Sequence, residues 1–250
     1  MEADLYCDAV LKMRKTRKIN FYFYLLILVS FKGKSRFLCG LLSEYKSHFE
    51  LDGNEELRNI FYFHLADCEN TYRLKHEFEK DENKNVKLRF SKKIPSNLSE
   101  IIPPKSLIIC DDLESVFLND KKLIQQLHIF SSVLCHHKQI FFLFVAQSVS
   151  ILKKSSKIQS SIANATHFII FRYIMESKAL KRFLSSLGLK MKSGLSISEI
   201  YEKYILPKRY SYFLICISSR ALRATAYSNI LHESDGNMIS YHDSEDEEDI

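Results

Sequence analysis

Ser106-Leu107-Ile108-Ile109-Cys110-Asp111-Asp112 is an unbroken apolar run that ends in two carboxylates. Branched residues without polar alternation suit a strand buried on both faces, as in a parallel sheet covered by helices. The carboxylate pair has two readings. It can hold a divalent cation and polarise a water, with Asp111 in the metal shell and Asp112 as general base, a role more often filled by glutamate. It can equally be a strand followed by an aspartate that caps a helix or shapes a turn.

Further candidate strands, most of them continuous rather than alternating, recur on either side: Phe21 to Val29, Asn59 to Leu65, Val86 to Phe90, Ile140 to Ala146, His167 to Phe171 and Tyr212 to Ile217. Between them lie amphipathic stretches that predict helices over Ser35 to His48, Asn70 to Lys80, Lys121 to His136, Ser156 to Ala163, Glu176 to Ser186 and Ser196 to Tyr204. This alternation argues for an α/β protein with a mostly parallel sheet and helices on both faces.

Two further segments place reactive side chains at strand ends, where open α/β sheets hold their ligands. The first strand is followed by Gly33-Lys34-Ser35 and a helix. In that arrangement backbone amides and a lysine hold β- and γ-phosphates while a hydroxyl reaches Mg²⁺. The usual loop opens with a glycine five positions before Gly33, where this chain has Leu28, so the tripeptide also reads as the plain start of a helix. Gln147 follows the strand Ile140 to Ala146; it can orient water or sense a γ-phosphate, or serve only as a loop residue.

The 250 residues, 46% hydrophobic and 26% charged, are enough for one domain with a full core. The expected organisation is a basic N-terminal segment over 1–18, a domain over 19–232 and an acidic, disordered tail over 233–250. Net charge is +6 although the run from Asp243 to Asp249 is almost wholly acidic, so the body is more basic than the total and suits a polyanionic partner. Solubility alone also explains such a tail. Six cysteines without CxxC spacing point to a reducing compartment and against a zinc site. The run Ile19 to Phe31 follows the basic stretch Lys12 to Lys18. It falls short of the roughly 20 apolar residues a bilayer span needs and has no small-residue cleavage site after it, so no membrane attachment is expected.

With these residues in place, the chain resembles the packaging ATPases of the FtsK/HerA superfamily found in Maverick/Polinton elements, adintovirus-like viruses and poxvirus-type viruses. Leu107 to Leu113 resembles the family's carboxylate strand, and His136-His137 its paired histidines. Phe144-Val145-Ala146-Gln147 resembles the sensor strand, Asn164-Ala165-Thr166-His167 the entry to the next strand and Phe171-Arg172 its exit. Ile60 to Phe63 and Phe90 to Pro95 sit as the second strand and a proline-ended segment do. Tyr212 to Ile215 with Arg220-Ala221-Leu222-Arg223-Ala224-Thr225 resembles the closing strand and its arginine stretch. As a helix-end pair, His136 and His137 suit carbonyl capping or packing better than a metal, for no third ligand is spaced near them.

The resemblance implies an ASCE-type P-loop NTPase using ATP and Mg²⁺. Gly33, Lys34 and Ser35 would bind nucleotide, Ser35 and Asp111 the Mg²⁺ shell, and Asp112, Gln147 and Arg172 would act in catalysis, with Arg220 and Arg223 as DNA or trans-arginine candidates. It further implies a motor that packages double-stranded DNA, acts as a homo-oligomeric ring, meets capsid proteins and works inside the cell, in a nucleus or viral factory, or with the virion. Three positions depart from the pattern: Leu28 at the opening glycine, Ser148 at the asparagine after the sensor, and Met175 where an arginine is expected. Two other functions fit the residues. One is a catalytically impaired, domesticated or decaying P-loop protein that keeps only its fold and DNA or protein binding. The other is a different ASCE ATPase of clamp-loader or replication type.

Overall fold

The computed structural model describes residues 56–65 and 86–147, the strands at 23–27, 167–171, 212–218, 223–228 and 240–241, and helical positions 38, 42, 71, 72, 75, 76, 78, 158, 160, 161, 178, 182, 183, 185, 199 and 202. These build a nine-stranded sheet of order β3-β2-β4-β5-β1-β6-β7-β8-β9. The strands are β1 (Phe23–Ile27), β2 (Asn59–His64), β3 (Lys87–Ser91), β4 (Ser106–Asp111), β5 (Phe141–Ala146), β6 (His167–Phe171), β7 (Tyr212–Ser218), β8 (Arg223–Ser228) and β9 (Ser240–Tyr241). Strands β1 to β6 pair in parallel, and β7, β8 and β9 extend the sheet antiparallel beyond β6.

Every described position within the stretches expected to be helical from Ser35 to Tyr204 is helical or belongs to a π-turn. Four described helices lie between β3 and β5: α1 (Leu98–Ile101), α2 (Glu114–Asn119), α3 (Lys121–Ile129) and, after a π-helical turn at Phe130–Leu134, the short α4 (Cys135–His137). The sequence predicts one helix from Lys121 to His136 and neither α1 nor α2, which are four and six residues long and too short to show a period.

Strand β5 lies between β1 and β4, so the strand that leads to Gly33-Lys34-Ser35 is separated by one strand from the strand that ends in Asp111. The order β6-β1-β5-β4-β2 is that of the ASCE-type P-loop fold, as expected. All residues of β4 and β5 are buried, which requires cover on both faces.

One face is packed by the connections that step from β3 to β4, β4 to β5 and β5 to β6. Phe130 stacks on Phe142 with ring centroids 5.1 Å apart and Phe117 meets Phe144 edge-on at 5.2 Å. The amide of Ser99 in α1 donates to Gln126 Oε1 of α3 at 2.7 Å, and Lys138 Nζ donates to the carbonyls of Ser99 and Ile102. Ser160, in the β5–β6 connection, lies 3.4 Å from His128 Nδ1 of α3. The right-handed crossover rule assigns the β1–β2 connection, which steps the other way along the sheet, to the opposite face; its helical positions Leu38 and Leu42 are fully buried.

Strand β9 falls inside the stretch that the sequence reads as a solvated tail and pairs Tyr241 with Ala226, while the acidic residues after it lie outside the described residues. Among the described residues no helix is long and apolar enough to cross a membrane.

Candidate functional site

Because β4 and β5 pair Ile108 with Phe142 and Cys110 with Phe144, these four side chains share the face covered by α2 and α3. Alternation then sends Ile109 and Asp111 to the other face, together with their register partners Tyr62 and His64 on β2. That is the face the crossover rule gives to the helix after Gly33-Lys34-Ser35.

Asp111 is 8% exposed at the carboxyl end of β4. A carboxylate taken so far out of water needs hydrogen bonds, and Tyr62 Oη donates to its Oδ2 at 2.7 Å. Tyr62, 2% exposed, is held by Phe90 at 5.3 Å and by the edge of His64 at 5.9 Å. His64 is itself buried and stands in register with Asp111.

At Asp112 the chain leaves the strand with φ 56°, in the left-handed region, and its amide still reaches Val145 O at 3.3 Å. Aspartate is among the few residues that accept this conformation. The side chain is half-buried. Two residues on, Glu114 opens α2, and its Oε1 accepts from the backbone amide of Gln147, which sits exposed just past β5. The ends of β4 and β5 are thereby tied together, with Asp111, Asp112, Glu114 and Gln147 at one rim of the sheet. Beneath them burial, and after it the Asp111 carboxylate, pushes the Cys110 thiol up from its ordinary pKa.

Asp111, Asp112 and Gln147 thus lie at the carboxyl ends of β4 and β5. Gly33, Lys34, Ser35, Arg172 and Arg220 lie outside the described residues. The strand β1 that precedes the first three is two strand spacings from β4, about 10 Å, and β6 ends at Phe171, directly before Arg172. Arg223 starts β8 opposite Ser218.

Sequence reasoning missed Tyr62, His64 and Glu114. A signal existed for Glu114, a glutamate two residues past the aspartate proposed for a role that glutamate usually fills. None existed for Tyr62 and His64, which read simply as members of an aromatic strand.

The oxygen donors fit Mg²⁺, which is held by one or two carboxylates together with water and substrate phosphates. Among the described residues there is no cluster of three or more histidine, cysteine or acidic side chains that could form an all-protein metal cage.

No protein-family model matches the chain, and no curated protein matches it either. Among solved structures it is similar to the cytoplasmic domain of the type VII secretion ATPase EccC of Thermomonospora curvata, with a TM-score of 0.44 and 11% identity over 80% of this chain and 24% of that one. It is similar to ATPases 2 and 3 of EssC from Geobacillus thermodenitrificans, with a TM-score of 0.40 and 15% identity over 63% of this chain and 33% of that one. Protein PH0250 of Pyrococcus horikoshii OT3 aligns with a TM-score of 0.37 and 10% identity over 64% of this chain and 86% of that one. The chain therefore spans a quarter to a third of the secretion ATPase chains it matches.

Proposed function

We propose that this chain is a Mg²⁺-dependent P-loop ATPase of the FtsK/HerA type and that its work is to drive double-stranded DNA, as a packaging motor of a DNA virus or virus-like element. The observation that carries the reading is the position of Asp111. It ends the strand two places from β1, on the face that the crossover rule gives to the helix after Gly33-Lys34-Ser35, with Gln147 at the end of the strand between.

In this reading Lys34 and the backbone around Gly33 hold the β- and γ-phosphates. Ser35 and Asp111 hold Mg²⁺, which when bound supplies charge neutralisation across the phosphates. Gln147 orients a water whose oxygen attacks the γ-phosphorus. Asp112 takes the water's proton as the bond to the β-phosphate oxygen breaks and ADP leaves. Glu114, through the Gln147 amide, fixes where the sensor side chain starts. Arg172, or Arg220 and Arg223 from a neighbouring subunit in a ring, stabilise the charge that builds on the transferring group. The basic body suits the DNA phosphates.

A second reading is favoured by Leu28, which removes the opening glycine: a chain that retains the fold and partner binding without turnover. The two separate in one experiment, ATP binding and DNA-stimulated ATP hydrolysis by the purified protein beside Lys34→Ala and Asp112→Asn. A working motor loses nucleotide affinity in the first variant and about 100-fold or more of its turnover in the second. A parent protein that binds ATP with Mg²⁺ but never hydrolyses it supports the second reading, and a parent that binds no ATP sinks the first.

A further inference from the structure

We infer that Tyr62 is a positioning residue for the cation ligand Asp111, so that β2 is a working part of the nucleotide site as well as a sheet strand. This rests on the ATPase reading above and goes beyond it. The residues come from strands 49 positions apart in sequence, and the hydrogen bond between them is buried, with Tyr62 Oη 2.7 Å from Asp111 Oδ2.

The geometry is specific in three ways. The two side chains lie diagonally across the β2–β4 pair, on one face, in the register Tyr62 with Ile109 and His64 with Asp111. The phenol ring is wedged between Phe90, tilted by 40°, and the edge of His64, so its hydroxyl is delivered to one place. The hydroxyl also donates to one of the two carboxylate oxygens, Oδ2, and so marks a single orientation of the carboxylate.

A carboxylate that ligates a metal is oriented by such outer partners, and their loss typically costs 10- to 100-fold in metal affinity or activity. Tyr62 touches neither nucleotide nor water in this account. It acts by holding Asp111 in one rotamer, and the ring carries the packing while the hydroxyl carries the function. Tyr62→Phe separates the two, since it keeps the ring and removes only the oxygen.

The experiment is a Mg²⁺ titration of ATP binding by the full chain, with parent, Tyr62→Phe, Asp111→Asn and the double variant side by side, and with thermal unfolding of each in EDTA. The inference expects Tyr62→Phe to need about 10- to 100-fold more Mg²⁺ for half-maximal ATP binding. It also expects the variant to bind ATP in EDTA as the parent does, and to add nothing further once Asp111 is already asparagine. A Mg²⁺ midpoint unchanged in Tyr62→Phe but shifted in Asp111→Asn overturns the inference and leaves the ATPase reading standing, as does an equal shift on top of Asp111→Asn. ATP binding indifferent to Mg²⁺ in the parent and to Asp111→Asn overturns both.

Discussion

Asp112 spends backbone energy, on the order of 1–3 kcal/mol for a non-glycine residue held in the left-handed region, at the point where β4 turns towards α2. The residue before Asp111 shows what the same strand does to a thiol. Cys110 is fully buried and Cys135 nearly so, and burial pushes both thiols up. A raised folded-state value means that the unfolded chain loses these protons first as pH rises. Stability is therefore untouched below the ordinary thiol range near 8.5 and falls above it, by up to about 1.4 kcal/mol per pH unit for each thiol. Two outcomes follow for the native protein. Alkylation followed by mass spectrometry leaves Cys110 and Cys135 unmodified until denaturant is added, and urea melts between pH 7.5 and 9.5 show the midpoint dropping, less so in a Cys135→Ala variant.

Helix α3 owes its start to Asp120, whose Oδ1 accepts from the amides of Lys122 at 2.8 Å and Leu123 at 3.3 Å. Leu123, Ile124 and Leu127 form its buried side. The regular helix then gives way to a π-turn where two serines crowd one carbonyl, Ser131 Oγ and Ser132 Oγ both donating to His128 O. Hydroxyls that bond back onto the preceding turn compete with the amide ladder and bend helices, which is a local reason for the wider turn. Removing the cap by Asp120→Ala should cost about 1 kcal/mol, read as a lower urea midpoint with an unchanged slope, and should leave ATP binding intact because α3 packs on the sheet face opposite the Asp111 side chain.

For the molecule as a whole, β5 lies one place from the middle of the nine-stranded sheet. It pairs with both β1 and β4, and its six residues are all buried. Phe142, 1% exposed and stacked on Phe130, carries the contact between that strand and the π-turn that follows α3. Phe142→Ala should cost about 3–5 kcal/mol, a large part of the 5–15 kcal/mol by which a domain is stable. Chemical unfolding should register that loss as a lower midpoint, because the strand that separates β1 from β4 is the strand being weakened.

Much of this architecture is legible in the amino-acid order. Strands β4 and β5 announce themselves as continuous apolar runs because both are buried on both faces, β1, β2, β6 and β7 carry similar runs while β3 alternates charged and apolar residues, and the polar residues Asp111 and Gln147 stand out at the ends of β4 and β5. Strand β8, Arg223-Ala224-Thr225-Ala226-Tyr227-Ser228, carries no apolar run, and its place in the sheet comes from backbone pairing with β7, which leaves no local signal. The face on which Asp111 points, its bond to Tyr62 and the meeting of Glu114 with Gln147 were likewise decided only in three dimensions. Each depends on which strands lie side by side and in what register, and a period-2 pattern within one strand says that alternate residues share a face without saying which strand, or which side chain 49 positions away, will lie across from them.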